Sequence, residues 1–242
     1  MQTIFEHIKR IFSGIKVIFF PELCVACGRK LVAGETMLCT VCRVGMPLTD
    51  DHKGDHSHLR ERFTNHFDPV WAVSFFYYVH GSHYSRIILN IKFKGCATAA
   101  VGMGRLFGRY LADECPQLCR ADLLVPLPLS RERMARRGFN QSELIARGMG
   151  EQTGLAVETR AVSRVRYRQA QSHIKSRAER LYNVDGVFKV TRPELLRGRH
   201  IILVDDVVTT GSTLTSCAKA ILEAVPDCRI SIAALASTPK TT

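Results

Sequence analysis

The sequence predicts an α/β fold in which flanking helices cover a mostly parallel twisted sheet. Short apolar strands alternate with amphipathic helices through the second half of the chain, as in parallel sheets that are buried on both faces. One of these strands ends in acidic and hydroxyl-bearing residues, which marks a ligand-binding edge. Ahead of this domain, two Cys-x2-Cys pairs predict a small zinc-ribbon-like segment with four cysteines.

The composition is that of a globular protein with a strongly basic surface. Of the 242 residues 46% are hydrophobic, and 34 Lys and Arg against 22 Asp and Glu leave a net charge of +12. This balance excludes disordered and collagen-like chains, and it leaves nucleic acid, anionic lipid and phosphorylated small molecules as partners. Residues 120–200 hold 17 Lys and Arg against eight Asp and Glu, so nine of the twelve net charges lie there.

The chain divides into three predicted regions. An N-terminal helix and the four-cysteine segment cover residues 1–48, a polar linker covers 49–69, and the α/β domain covers 70–242. Basic residues interrupt the apolar stripe of the first helix, so we expect no membrane span, and packing against the protein is favoured over docking to a membrane surface. An odd number of cysteines, nine, and the lack of a cleavage site indicate a reducing, cytoplasmic location.

Periodicity assigns the elements of the α/β domain in order. The predicted strands cover residues 70–79, 121–125, 186–190, 200–204 and 229–235. The predicted helices run through residues 87–91, 97–114, 141–150 and 213–224. A Pro-rich loop follows the second strand, and an Arg-rich irregular stretch precedes the third.

The cysteine pattern predicts a structural metal site. Cys24 and Cys27 are separated by eleven residues from Cys39 and Cys42. Four thiolates from two tight turns close a tetrahedron around Zn²⁺ and leave no position for water, and the metal supplies folding energy that so short a segment lacks. Two disulfides, four inert thiols and an iron–sulfur site are the alternatives. The nearby histidines are assigned to the polar linker and not to the metal: His52, His56 and His58.

The predicted ligand site is the stretch IILVDDVVTTGST, residues 201–213. Asp205 and Asp206 are the candidate catalytic residues, because carboxylates accept hydrogen bonds from ribose hydroxyls or hold a hydrated divalent cation. A glycine-containing turn at a helix N-terminus presents N–H groups to a phosphate. The candidate phosphate-binding residues are Val207, Val208, Thr209, Thr210, Gly211, Ser212 and Thr213. An acidic turn followed by an N-capped helix is the alternative interpretation.

This string is similar to the phosphoribosyl pyrophosphate (PRPP) signature of type I phosphoribosyltransferases. The resemblance implies that Pro126, Leu127 and Pro128 form the pyrophosphate loop, where the Leu127–Pro128 bond could be cis; an ordinary rigid turn is the alternative. It also places a flexible catalytic loop in the Arg-rich stretch. The implied flexible loop and basic rim comprise Arg136, Arg137, Arg166, Arg168 and Lys175.

The order of the segments, from the cysteines through VPLPLSRERMARRGFNQS to LVDDVVTTGST, resembles the ComF family, which includes ComF and GntX. The resemblance implies the type I phosphoribosyltransferase fold, PRPP bound with Mg²⁺, and a link to competence and DNA uptake. Transfer of phosphoribosyl to a nitrogen acceptor is implied as the reaction, although catalysis stays open. The alternative is a non-catalytic module that binds a phosphoribosyl ligand or single-stranded DNA and acts with a helicase-like ATPase. Lys92 and Lys94 either line the acceptor hood or are solvated helix ends.

Overall fold

The computed structural model describes residues 22–53, 57–93, 96–165 and 187–239, and it confirms the predicted α/β architecture. Five parallel strands form one sheet, namely β1 (Ala72–Tyr77), β2 (Leu123–Pro126), β3 (Ala156–Val157), β6 (His200–Val208) and β7 (Arg229–Ser237). Their order across the sheet is β1–β7–β6–β2–β3. A separate antiparallel pair is formed by β4 (Val162–Arg164) and β5 (Phe188–Val190).

Six α-helices lie in the described part of the chain: α1 (Thr40–Val44), α2 (Ser85–Phe93), α3 (Ala97–Glu114), α4 (Arg131–Arg137), α5 (Gln141–Thr153) and α6 (Ser212–Ala224). Among these same residues, none of the helices combines the length and the apolar character needed to cross a membrane.

Both faces of the sheet are buried, and the central strand β6 shows how. Ile202 and Val204 belong to a cluster that includes residues of α2, α3 and α5 and the four-cysteine segment. Ile201 and Leu203 point to the opposite face and belong to a second cluster with residues of α6. Because successive side chains of a strand point to opposite faces, a continuous apolar run such as this one is the mark of a strand covered on both sides.

Glycines let α3 and α5 approach each other closely. A Cβ atom placed at Gly104 would lie 2.2 Å from the carbonyl oxygen of Ile145, and one at Gly148 would lie 2.1 Å from that of Val101. No side chain larger than hydrogen fits at such distances, since real Cβ atoms do not come so near to backbone oxygen. This contact holds the N-terminus of α5 beside the carboxyl ends of β2 and β6.

The structure changes several predicted boundaries. The strand expected over 200–204 continues to Val208, because β7 pairs with it through the Val208–Ser237 register. The segment expected over 186–190 pairs with β4 outside the main sheet. The Pro-rich loop after β2 contains a helix that was not expected, α4, which Ser130 caps by accepting a hydrogen bond from the N–H of Arg133 at 3.3 Å.

The polar segment before β1 is attached to the sheet at several points. Leu59, Phe63 and Phe67 are buried in the same cluster as α6. The carboxylate of Asp51 accepts hydrogen bonds from the N–H and the hydroxyl of Ser74 on β1, at 3.1 and 2.6 Å. The three apolar side chains recur at intervals of four residues, a helical spacing that the assignment of this segment to a polar linker did not take into account.

Candidate functional site

The four predicted metal ligands come together. The sulfur atoms of Cys24, Cys27, Cys39 and Cys42 all lie within 4.8 Å of one another. Cys39 is the N-cap of α1, and its sulfur accepts a hydrogen bond from the N–H of Cys42 at 3.4 Å. None of the nine cysteines forms a disulfide. The cluster is therefore compatible with a structural Zn²⁺ ion, whose preferred ligands are thiolates in a tetrahedron.

Backbone hydrogen bonds favour a thiolate within this cluster. Burial by itself raises the pKa of Cys24, but hydrogen bonds from the backbone of Cys27, Cys39 and Ala26 outweigh burial and lower the pKa to about 6. One of these bonds joins the N–H of Cys39 to the Cys24 sulfur at 3.4 Å. N–H groups aimed at sulfur stabilise negative charge there, which is the charge that a metal ligand carries.

The histidines of the linker are not part of the described cluster. The Nδ1 atom of His52 is 2.8 Å from the hydroxyl of Tyr110, and its Nε2 atom is 3.7 Å from the carboxylate of Glu114. His58 lies elsewhere, beside Arg62 in a cavity of about 380 Å³. His56 is outside the described residues.

The acidic pair lies inside β6 at a switch point of the sheet. From β2 the chain crosses to β3 on one side, while from β6 it crosses to β7 on the other. Crevices at such points, beyond the carboxyl ends of the strands, are where α/β sheets bind ligands. Pairing with β2 stops at Val204, so Asp205 and Asp206 stand where the neighbouring strand has ended.

Each carboxylate of the pair has its own partners. Oδ1 of Asp205 accepts hydrogen bonds from the hydroxyl of Ser142 at 3.0 Å and from the N–H of Asp206 at 2.8 Å. Oδ1 of Asp206 lies 3.0 Å from the ammonium nitrogen of Lys92. Lys92 was expected either to line the acceptor hood or to be a solvated helix end; this ion pair excludes a solvated end, and a role in the hood stays a prediction. Lys94 is outside the described residues.

Burial and mutual repulsion change the acidity of this pair. Burial raises the pKa of Asp205 to about 7, and the neighbouring charge of Asp206 adds to the effect. Lys92 and Ser142 act in the opposite direction but do not cancel it. A carboxyl group with this pKa exchanges its proton near neutral pH, which is the range in which a general acid or base works best.

The predicted phosphate loop is a tight turn between β6 and α6. Gly211 has a φ of +80° and is the N-cap residue of α6, so the chain enters the helix in a left-handed conformation that favours glycine. Residues 207–214 and Asp205 line a cavity of about 30 Å³. Val207 and Val208 belong to β6 and not to the turn, whereas Thr209 and Thr210 are exposed.

The predicted pyrophosphate loop lies beside β6, at the point where β2 ends. The N–H of Leu127 donates to the carbonyl of Val204 at 2.9 Å, and the side-chain amide of Asn140 donates to the carbonyl of Leu127 at 3.1 Å. Pro126 and Pro128 line a cavity of about 500 Å³ together with Asn140 and Arg164. The Leu127–Pro128 peptide bond is trans, so the expectation of a cis bond is wrong.

The structure describes only some residues of the predicted basic rim. Arg137, at the end of α4, lies with its guanidinium carbon 5.5 Å from the centre of the Phe93 ring, and burial lowers its pKa while Asp206 opposes that change. Arg136 is exposed on the same helix. Three predicted residues of the flexible loop lie outside the described residues: Arg166, Arg168 and Lys175.

Two residues of the site, Ser142 and Arg62, were not assigned a role by sequence reasoning, whereas Arg164 belongs to the Arg-rich stretch that was expected to form the flexible loop. Ser142 lies within a stretch that the sequence singled out, two residues after Asn140, and its position at the start of α5 was the available signal. Arg164 closes the wall of the larger cavity and packs over Phe188 at 5.2 Å. Arg62 contacts the base of the phosphate loop, and nothing in the linker sequence indicated that contact.

Comparisons with known proteins agree with this geometry. The family model described as "Phosphoribosyl transferase domain" matches residues 134–242. The DNA utilization protein YhgH of Escherichia coli (strain K12) is 30% identical over 216 residues, which cover 84% of this chain and 91% of that protein. Competence protein F of Haemophilus influenzae is 25% identical over 210 residues, covering 83% and 91%. The chain belongs to the ComF family.

Other proteins match a smaller part of this ComF-family chain. Competence protein ComFC of Bacillus subtilis (strain 168) is 30% identical over 146 residues, covering 60% of this chain and 56% of that protein. Among solved structures, the glutamine PRPP amidotransferase of B. subtilis is 21% identical with a TM-score of 0.39, and the match covers 57% of this chain and 26% of the enzyme.

We expect the elevated pKa of Asp205 to appear in the pH dependence of stability. The folded state holds a proton up to about pH 7 that the unfolded chain loses near its ordinary pKa of about 4, so the free energy of unfolding should fall as pH rises through this interval. Urea denaturation at pH 5.5 and at pH 8 measures the free energy of unfolding. Asp205→Asn should become more stable relative to wild type at pH 8 than at pH 5.5.

The control for this measurement is Asp113→Asn, which changes an exposed carboxyl group at the end of α3. Its stability relative to wild type should be the same at both pH values. An equal difference for Asp205→Asn at the two pH values would contradict the raised pKa.

Proposed function

We propose that this ComF-family protein binds PRPP with Mg²⁺ at the carboxyl ends of β2 and β6 and transfers the phosphoribosyl group to a nitrogen acceptor. The observation that carries the proposal is the meeting of a carboxylate pair, a glycine turn at a helix N-terminus and a lysine at one switch point of the sheet. Relatives named for competence and DNA utilization suggest that the reaction serves DNA uptake or use.

Each part of the ligand has a matching group. Within the described part of the chain, the backbone N–H groups of Thr209, Thr210 and Gly211 have no acceptor, and they suit the oxygens of the 5′-phosphate. Asp205 and Asp206 accept hydrogen bonds from the ribose hydroxyls. Residues 126–128 face the diphosphate.

Carboxylates beside a diphosphate also suit Mg²⁺, which prefers oxygen ligands and is commonly shared between protein carboxylates and phosphates. When bound, Mg²⁺ would neutralise charge on the leaving diphosphate. Asp206 and Asp205 are the groups that would hold it, directly or through water. In the ligand-free protein the ammonium group of Lys92 neutralises Asp206. When the ribose hydroxyls bind Asp206 instead, the ammonium group of Lys92 can turn to the diphosphate.

The reaction is a displacement at C1 of the ribose. The bond between C1 and the diphosphate oxygen breaks, and its electron pair leaves with pyrophosphate. The lone pair of the acceptor nitrogen forms the new bond to C1, and the nitrogen then loses a proton. Fixed positive charge and N–H groups around the diphosphate stabilise the negative charge that develops in the transition state.

Binding of PRPP is tested by thermal denaturation in the presence of Mg²⁺. A ligand at one hundred times its Kd adds about 2.7 kcal/mol to the stability of the folded state, which for a chain of this size raises Tm by roughly 5–10 °C. Asp206→Asn and Asp205→Asn should lose this shift, because each removes a ribose acceptor. Asp113→Asn is the control and should keep it. No shift of wild type at millimolar PRPP would contradict the proposal.

Release of pyrophosphate in the presence of PRPP and a panel of nitrogenous bases then tests catalysis. Release that depends on one base identifies the acceptor class. Binding of PRPP without release for any base would leave the protein as a binding module.

We further propose that the four-cysteine cluster holds one structural Zn²⁺, and that the protein resides in the reducing cytoplasm where thiolates persist.

Metal analysis of freshly purified protein should give one equivalent of zinc. The double variant Cys24→Ser, Cys27→Ser should lose it and unfold at a lower temperature, because metal binding contributes to folding. Cys96→Ser, outside the cluster, is the control and should keep the metal. Metal-free wild type would contradict the proposal.

A second candidate function is binding of single-stranded DNA in concert with a helicase-like ATPase. The observation that favours it is the surface of α4, which carries four arginines in seven residues. The last of them, Arg137, lies over the ring of Phe93, a large apolar side chain that is exposed. Arginines that follow a phosphate backbone and an exposed ring on which a base can stack are the common elements of single-strand binding.

Titration of single-stranded DNA at several salt concentrations tests the second function. Each phosphate contact contributes about 0.7 to the slope of log K against log salt, so Arg136→Gln with Arg137→Gln should flatten it by about 1.4. The double variant Lys30→Gln, Arg43→Gln removes the same charge from the cysteine segment and should leave the slope unchanged. Binding that is absent or independent of salt would exclude this function.

A further inference from the structure

We propose that Arg62 is a positioning residue of the phosphate loop, supplied by the short segment 57–67 that precedes the sheet. The proposal rests on the phosphate-binding function proposed for residues 209–213. The segment lies ahead of residues 134–242, which the phosphoribosyltransferase family model matches.

The guanidinium group of Arg62 joins the ends of two strands. Its Nη1 donates to the carbonyl of Val208 at 3.3 Å, to the carbonyl of Thr209, and to the hydroxyl of Thr238 at 3.1 Å. Its Nη2 donates to the carbonyl of Thr238. The carbonyl of Val208 also accepts a hydrogen bond from the N–H of Thr238 at 3.0 Å, and the other acceptors lie just beyond the last residues of β6 and β7. One planar cation with five donors therefore joins both strand ends.

The geometry of the peptide unit links these hydrogen bonds to the direction in which the N–H groups of the loop point. In a trans peptide unit the C=O and the following N–H point in opposite directions. Drawing the carbonyls of Val208 and Thr209 toward Arg62 therefore turns the N–H groups of Thr209 and Thr210 away from it. These are two of the N–H groups that have no acceptor within the described part of the chain. Arg62 thus orients the donors that a phosphate would use.

The neighbouring residue supports the same loop by packing. Phe63 is fully buried, and a Cβ atom placed at Gly211 would lie 2.9 Å from its ring. The ring therefore lies directly against the glycine at which the chain turns into α6. Two consecutive side chains of one short segment fix the loop, one through its carbonyls and the other through its glycine. Such prior ordering reduces the entropy that a ligand must otherwise offset on binding.

Hydrogen exchange of the ligand-free full-length chain tests the anchoring directly. In Arg62→Met the amides of Thr238 and Thr215, which donate to the carbonyls of Val208 and Gly211 at the two ends of the loop, should exchange at least roughly tenfold faster, because the loss of hydrogen bonds to a charged group frees the loop. Peptides from β1 and α3 should be unchanged. Arg60→Met is the matched control, since Arg60 lies in the same turn but binds Asp68 and the carbonyl of Val70. Unchanged exchange at Thr215 and Thr238, or equal acceleration throughout the chain, would overturn the proposal.

A second variant covers the case in which Arg62→Met does not fold. Arg62→Lys keeps the charge but has a single ammonium group that cannot span all four acceptors. It should show an intermediate acceleration confined to the amides of Thr215 and Thr238. Exchange identical to wild type in Arg62→Lys would then overturn the proposal.

Calorimetry with two part-ligands separates positioning from general destabilisation. Ribose 5-phosphate should bind Arg62→Met at least roughly tenfold more weakly than wild type, while the affinity for pyrophosphate should change less than about twofold, because only the phosphate loop is anchored by Arg62. Equal weakening of both would overturn the proposal. If wild type binds neither ligand at millimolar concentration, the proposed function fails, and the exchange experiment still decides whether Arg62 anchors the loop.

Discussion

The candidate site depends on the pairing of β6, which lies between β7 and β2 in the middle of the sheet. The pairing with β7 continues to Val208, whereas the pairing with β2 stops at Val204. The last four residues of β6 therefore pair with β7 on one side and have no paired strand on the side of β2. A rigid strand beside an ended strand produces a crevice, and the acidic pair is the part of β6 that lines it.

The crevice concentrates negative charge, and other elements balance it. Lys92 comes from α2 and Ser142 from α5, and Arg137 reaches the same region from the end of α4. Two adjacent carboxylates without such partners would repel each other, and burial would make ionisation more costly still. The glycine contact between α3 and α5 matters here because it brings Ser142 within hydrogen-bond distance of Asp205. Packing of helices far from the ligand thus supplies one of the hydrogen bonds that oppose the raised pKa of Asp205.

Much of the fold could be predicted from the sequence. The helix over 97–114 is where periodicity placed it, and the strands at 200 and 229 begin at the predicted residues, because an amphipathic stripe or an apolar run is a local property. The ends of those strands were missed, since they depend on pairing with a neighbour. The cysteine cluster was predicted correctly, because four thiols with this spacing have few other uses.

The sequence by itself determined the residue types of the site: two carboxylates, a hydroxyl-rich glycine turn and four thiols in fixed order. Only the tertiary structure decided which distant residues join them. Lys92 is 114 positions before Asp206, and Arg62 is 147 before Thr209, and their neighbours carry no motif. The physical reason is that contacts between distant residues follow from strand order and helix packing, whereas a motif records only what is adjacent in the chain.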